Sequence, residues 1–379
     1  MISLYMKRVL YLLLFLLVFS CEKKPDPPGP GPEEEVFVPA TRVEGRVALS
    51  YVTYYSSGIP DPSLLTHICY AFAELYVVNG QYRAFRLQGE ESRFADVANL
   101  KKTHPGLKVL ISFTHTVSNK DNVQGGGFSA LSSTEEGRKA FAQDCLEFLQ
   151  KWGIDGVDIG WEFPGISWSG HACDPLADTQ NHVLLMQQLR ETLGKDYLIT
   201  FPGYVMDVKH KDGESRYIDL RAVEPYVDFV NVMTYDMDAA PHHHSALNDP
   251  RAYWDCARTL NAYKAAGFPV SKMVLGIPFY GRISFSSSPS ALTYRQINNL
   301  DPSLYNKDNW DPTASVPYVT RISTGAFYCG YDNAASIAIK GSWLLSQGMK
   351  GMMCWMYHGD DAGGSLRKAM WNAVMKPVP

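Results

Sequence analysis

From about residue 45 onward the chain alternates short apolar runs with amphipathic stretches, and this alternation limits the fold more than any other feature of the sequence. The runs are "RVALSYVTYY", "THICYAFAEL", "LKVLISFTH", "IDGVDIGWEFP", "YLITFPGY", "VDFVNVMTYD", "KMVLGIPFYG" and "GMKGMMCWMY". Eight runs of strand length, separated mostly by helix-length segments, are the mark of repeated strand-helix units whose strands pair in parallel. The predicted fold is α/β, a (β/α)8 or TIM barrel, occupying residues 44–379. Three helices are marked by their ends or periodicity: "STEEGRKAFAQDCLEFLQKWG", with Ser133 or Thr134 as its cap and Gly153 after its end, "TQNHVLLMQQLRETLG" and "DPRAYWDCARTLNAYKAAG". The gap between "LGIPFYGR" and the last strand is too long for one helix. Residues 283–331, rich in Ser, Asn, Asp, Pro and Tyr, are expected to form a small α+β insertion before that strand, with "NAASIAIKGSWLLSQG" as the helix that feeds it.

At the N-terminus, Lys7 and Arg8 precede the apolar run "VLYLLLFLLVFSC", which is shorter than the roughly 20 residues a membrane-spanning helix needs. Residues 1–21 have the form of a secretory signal, and "VFSC" resembles a bacterial lipobox with Cys21 as the lipidated residue. A plain signal peptide with a chance cysteine is the alternative. Residues 22–43 are proline, glycine and charge, cannot bury apolar surface, and are expected to act as a semi-rigid tether. The expected location is the outer membrane, reached through the lipid anchor, on its periplasmic or cell-surface side.

Formal net charge is −4 with no long basic run, so the footprint of a nucleic-acid binder is absent. Of the cysteines beyond Cys21, Cys69, Cys145 and Cys354 sit in apolar runs and are expected to be buried free thiols, while the state of Cys173, Cys256 and Cys329 is left open by spacing. The triplet His242, His243 and His244 has no second ligand cluster in view, so no metal is expected.

The segment "DGVDIGWE", residues 155–162, carries the chemistry. On a strand Asp158, Gly160 and Glu162 share one side, so a row of inward carboxylates lacks its middle member. Barrel enzymes gather reactive groups at the C-terminal ends of their strands. Those ends here hold Glu162, Tyr235, Asp236, Tyr280, Arg282 and Trp355, with Met233 in the same run as Tyr235. A carboxyl raised toward neutral pH by burial and a neighbouring carboxylate can protonate a leaving oxygen, the step that glycoside cleavage needs most. The alternative is that Asp155, Asp158 and Glu162 cap helices or pair with surface cations, but two acids alternating into a barrel interior are costly to bury without a purpose.

"DGVDIGWEFP" resembles the DGxDxDxE signature of glycoside hydrolase family 18, the chitinases. The likeness extends to "SYVTYY", "HICYAFA", "GGGFSALSSTEEGRKAFAQDCLEFLQKWGIDG", "VMTYD", "LGIPFYGR" and "GMMCWMYHGDD", in order, across the domain. The resemblance implies a retaining, substrate-assisted mechanism on β-1,4-linked N-acetylglucosamine polymers, in which the acetamido oxygen of the −1 sugar attacks its own anomeric carbon. It implies Glu162 as the acid, Tyr235 as the phenol on the acetamido carbonyl, Asp236 as the carboxylate holding the −1 sugar, Trp355 as the floor of that subsite and Asp158 as the carboxylate beneath the acid. Tyr280, Arg282 and Met233 are further candidate contacts, and no cofactor is implied.

Two departures bear on activity. The carboxylate that would grip the acetamido N–H falls on Gly160, and the family's SxGG run becomes Ser112, Phe113, Thr114 and His115. Three readings follow: an attenuated chitinase, a surface chitin-binding protein that has lost the reaction, and an endo-β-N-acetylglucosaminidase. Losing one hydrogen bond to a charge-bearing transition state costs about 10²- to 10³-fold in rate, and Gly160→Asp is expected to restore part of it. Tyr54, Tyr55, Phe72, Trp161 and Trp254 are assigned to packing by default, and Trp168 is a candidate for stacking on a polymer.

Overall fold

The computed structural model describes residues 45–114, 127–166, 172–204 and 218–376. Cys21, the tether, His115 and Trp168 lie outside the described residues. The strands are β1 (Val47–Thr53), β2 (His67–Val78), β3 (Gln81–Leu87), β4 (Lys108–Thr114), β5 (Gly156–Gly160), β6 (Leu198–Gly203), β7 (Phe229–Val232), β8 (Met273–Pro278), β9 (Tyr280–Arg282), β10 (Ala291–Thr293), β11 (Tyr305–Asp311), β12 (Val316–Arg321), β13 (Phe327–Gly330) and β14 (Gly351–Trp355).

Eight of these close a parallel barrel in the order β1, β2, β4, β5, β6, β7, β8, β14 and back to β1. Each of the eight apolar runs supplies one of them. Burial on both faces explains why the runs are continuously apolar rather than alternating. In β1, Val47, Leu49 and Tyr51 point into the barrel, where they meet Leu110, Phe229 and Met353, while Ala48 and Val52 join the larger core between sheet and helices. β3 was not expected from the sequence. It pairs antiparallel with the far end of β2, across the two-residue turn Asn79-Gly80, both with positive φ, as a tight hairpin requires.

The helix Glu135–Trp152 is capped by Thr134, whose hydroxyl accepts from the Gly137 N–H, and ends on Gly153 at φ 60°. The stretch "DPRAYWDCARTLNAYKAAG" is helical only over Cys256–Ala265, later than its periodicity suggests. Its cap is Asp255, which accepts from the Arg258 N–H, and upstream Asp249 bonds Arg251 instead of continuing a helix. Between β8 and β14 the chain forms an antiparallel sheet ordered β10, β9, β13, β12, β11, with the short helix Tyr294–Asn298. This sheet begins at Tyr280, within the run that also supplies β8. Cys69, Cys145, Cys256, Cys329 and Cys354 are buried free thiols, and Cys173 is partly exposed.

Two buried ion pairs fix the surroundings of the barrel. Lys340 of the last connecting helix bonds both oxygens of Asp332 and the carbonyl of Ser245, all fully enclosed. Arg190 donates to Asp228 at 2.6 Å and to the carbonyls of Gly194, Tyr197 and Tyr226, while Asp228 also takes the Ile199 N–H. Arg190 thus makes four hydrogen bonds and Asp228 accepts two, the kind of engagement under which a buried pair is tolerated. Arg190→Ala is expected to lower unfolding free energy by about 3–5 kcal/mol, because it strands a buried carboxylate; equilibrium urea denaturation followed by circular dichroism measures it.

Candidate active site

A cleft of about 660 Å³ opens at the C-terminal ends of the barrel strands and is lined by residues of the barrel and of the inserted sheet. The three acids of the "DGVDIGWE" segment have separate fates. Asp155 sits at the opposite end of the barrel, where it pairs with Lys101 and Lys108 and takes the Val109 N–H. That is the surface role, and it removes Asp155 from the chemistry.

Asp158 points into the barrel and is fully buried. Its carboxylate accepts from Tyr51 at 2.9 Å, Ser112 at 2.7 Å, Thr200 at 2.6 Å and Asn231 at 3.3 Å. Burial raises its pKa even though these four bonds favour the charged form. Glu162 stands two residues past the end of β5, half-buried at the cleft wall. Among the described residues nothing hydrogen-bonds its carboxyl. Burial, with the negative fields of Asp158 and Asp236 behind it, pushes Glu162 up to about 7.

Asp236 is set up in the opposite sense. Burial would raise it, but bonds from His244 and Arg282 hold it well below the usual carboxylate range. Arg282 grips it with two bonds, Nε to Oδ1 at 2.8 Å and Nη2 to Oδ2 at 2.6 Å. The Asp236 backbone is left-handed at φ 56°, and its carbonyl accepts from Tyr204 at 2.7 Å. Two carboxyl groups in one cleft, one raised and one lowered, form the pattern that separates an acid from a permanent anion.

Trp355, at the end of β14, lies 5.5 Å from the Tyr51 ring and 5.8 Å from Phe72, near-parallel to the latter. Tyr235 is buried beside Tyr280, and burial lifts its phenol far above its ordinary value, so it remains a donor. Met233, Tyr280 and Arg282 all line the cleft. The structure therefore gathers Glu162, Tyr235, Asp236, Trp355, Met233, Tyr280 and Arg282 on one cleft, with Asp158 directly below them in the barrel.

Of the aromatic residues assigned to packing, Trp161 is buried between Phe128 and His182. Tyr54, Tyr55 and Phe72 instead line the cleft, which corrects their default assignment: Tyr54 and Tyr55 follow β1, and Phe72 lies within β2 beside Trp355. The sequence reading missed Gln88, Thr293 and Gln296, which also line the cleft from outside the barrel runs, and His244, which bonds Asp236. Among the described residues no group of three or more His, Cys, Asp or Glu could hold a metal ion.

Gly160 lies at the end of β5, in register with Thr114 of β4, and Thr114 lines the cleft beside it. A Cβ built on Gly160 would stand 2.3 Å from the Phe113 carbonyl oxygen. Backbone cannot yield as a side-chain tip does. An aspartate here requires β4 or β5 to shift, so the expected gain of activity in Gly160→Asp carries a structural cost.

The profile of the family described as Glycosyl hydrolases family 18 matches residues 47–360. Chitinase A1 of Niallia circulans is 28% identical over 418 residues, covering 87% of this chain and 57% of the relative. The oviduct-specific glycoprotein of Homo sapiens is 27% identical over 338 residues, covering 81% of this chain and 47% of the relative. This chain thus spans about half the length of these relatives. Among solved structures, a family 18 N-acetylglucosaminidase from Paenibacillus barengoltzii superposes with a TM-score of 0.69 at 26% identity, covering 87% of this chain and 100% of that one. With most of its barrel inside the family match and the cleft at the strand ends the family pattern demands, the chain belongs to glycosyl hydrolases family 18.

Proposed function

We propose that the protein is an attenuated chitinase-type glycosidase acting on β-1,4-linked N-acetylglucosamine chains. The observation that carries this reading is Glu162, a carboxyl raised to about 7 on the cleft wall, with a buried carboxylate below it and a clamped one beside it. Such a group holds its proton near neutrality and can deliver it to a substrate oxygen.

In the proposed reaction Glu162 gives its proton to the glycosidic oxygen while the −1 acetamido oxygen attacks the anomeric carbon. The glycosidic C–O bond breaks, the leaving sugar departs with the proton, and a cyclic oxazolinium remains. Water then adds at the anomeric carbon as the bond from that carbon to the acetamido oxygen breaks, one proton of the water passes to the Glu162 carboxylate, and the configuration is retained. Tyr235 donates to the acetamido oxygen, Asp236 holds the sugar through its fixed carboxylate, and Trp355 supports the ring face. Tyr280, Arg282 and Met233 complete the −1 and neighbouring contacts, and no cofactor takes part. Gly160 offers no acceptor for the acetamido N–H, so the nucleophile is less well aligned and its developing charge less well balanced.

A second reading, a chitin-binding protein without turnover, is favoured by one observation: the Gly160 backbone has no room for the missing carboxylate. Under either reading residues 1–21 and 22–43 are proposed to serve as lipoprotein signal and tether, placing the domain at the outer membrane through Cys21; incorporation of labelled palmitate, lost in Cys21→Ala, is the expected result.

Release of a fluorophore from a di-N-acetylchitobioside separates the two. The wild type is expected to exceed a Glu162→Gln control, in which no proton can be given. Activity equal to that control, with oligosaccharide still bound, would establish the binding protein. Gly160→Asp is expected to lose stability by about 1–3 kcal/mol from the backbone collision. The pH dependence follows from Glu162: the acid form dominates below about 7, so kcat/KM should fall about tenfold per pH unit above that value. An alkaline limb already falling between pH 4 and 5, near the ordinary carboxyl value, would contradict the assignment.

A further inference from the structure

His242, His243 and His244 form a triplet in the loop after β7 with no metal to explain it. His244 is buried, 1% exposed, with its Nδ1 at 3.3 Å from the Asp236 N–H nitrogen and 3.3 Å from Asp236 Oδ1. Its ring lies 5.2 Å from that of Tyr280. Among the described residues its buried Nε2 has no hydrogen-bond partner, which is true also of ring nitrogens of His67, His182, His243 and His358, so the contacts of Nδ1 are what single this ring out.

The chain on either side pins this ring. His243 meets Asp311 of β11 at 3.2 Å and packs against Tyr318 and Phe327 of the inserted sheet. Asp311 is held in turn by Arg251 at 2.6 Å. Ser245 bonds Asp332, the carboxylate buried with Lys340. Three consecutive residues therefore bind the inserted sheet, Asp236 and the last connecting helix. The middle one has little freedom to move, and the group it touches is the one cleft carboxylate held permanently charged. Asp236 needs that support, because its left-handed backbone is a conformation a non-glycine residue adopts only when its surroundings enforce it.

We infer that His244 is a positioning residue for Asp236, fixing through Nδ1 the residue whose carboxylate Arg282 grips from the other side. The inference rests on the reading of Asp236 as a sugar-holding group. Arg282 approaches from β9 and shares with His244 the task of keeping Asp236 charged. His244 sets the angle at which the carboxylate faces the cleft.

The test uses the full chain in a Glu162→Gln background, so that binding is measured whether or not the protein turns substrate over. Chitotriose affinity is read from tryptophan fluorescence. His244→Phe keeps the ring against Tyr280 and removes both nitrogens. It is expected to weaken binding roughly tenfold, the scale of one hydrogen bond to a charged group, with no loss of melting temperature because the orphaned Nε2 goes too. His244→Asn, which keeps a polar group at that place, should recover most of the affinity. In an Asp236→Ala background His244→Phe should cost nothing further. Equal losses with and without Asp236, or a fall in melting temperature with affinity unchanged, would overturn the inference. Should the Glu162→Gln protein bind no chitotriose, the functional reading fails instead, and the ring ¹⁵N resonances of His244 in the ligand-free chain then decide: Asp236→Asn is expected to shift Nδ1, and an unmoved signal overturns the contact.

Discussion

The carboxylate of Asp158 is the interaction on which the rest of the site depends. A lone charge in a barrel interior costs several kcal/mol, and here it is answered by hydroxyls from β1, β4 and β6 and an amide from β7. Four strands are thereby tied to the one that carries Glu162. The donors are Tyr, Ser, Thr and Asn, none of them cationic, so Asp158 keeps its negative field instead of cancelling it in an ion pair. That field, together with burial, holds the Glu162 proton in place. Had an arginine met Asp158, the same fold would have left Glu162 a weaker candidate for an acid.

The inserted sheet supplies the opposite setting. Arg282 belongs to β9, its second-ranked strand position in the sheet order, and reaches back over the cleft to Asp236. A bidentate guanidinium grip fixes orientation as well as charge. One carboxyl is thus governed by neutral donors beneath it and the other by a cation from above, and the difference between them is a difference in neighbours, since both are carboxylates in the same cleft.

Most of the barrel was legible in the sequence because buried parallel strands must be continuously apolar, and each of the eight runs carries that mark. The β3 hairpin was not, because Gln81–Leu87 is amphipathic and its strand state is set by pairing with the extension of β2. The early start assigned to the helix at Cys256–Ala265 failed for a local reason: Asp249 and Asp255 each satisfy backbone N–H groups in turns, which competes with helix. Site residues on the strand ends, Glu162 and Trp355 among them, could be placed from the period of two alone. Gln88, Thr293 and His244 could not, because Gln88 and Thr293 reach the cleft, and His244 reaches Asp236, from loops and from the inserted sheet, and no periodicity links them to it.

The two departures from the family pattern turn out to be neighbours. Thr114 and Gly160 are in register on adjacent strands, so the larger residue on β4 stands beside the smaller one on β5, and volume is exchanged across a single strand pair. A Cβ at Gly160 would meet the Phe113 carbonyl oxygen at 2.3 Å, the same close approach to a neighbouring strand that Gly156 and Gly276 make. The consequence is that position 160 is not independent: an aspartate there requires β4 or β5 to shift. On the proposed reading the reacting acetamide would lie against the strand pair at Thr114 and Gly160, and its fit there is what would separate a weak enzyme from a binding protein.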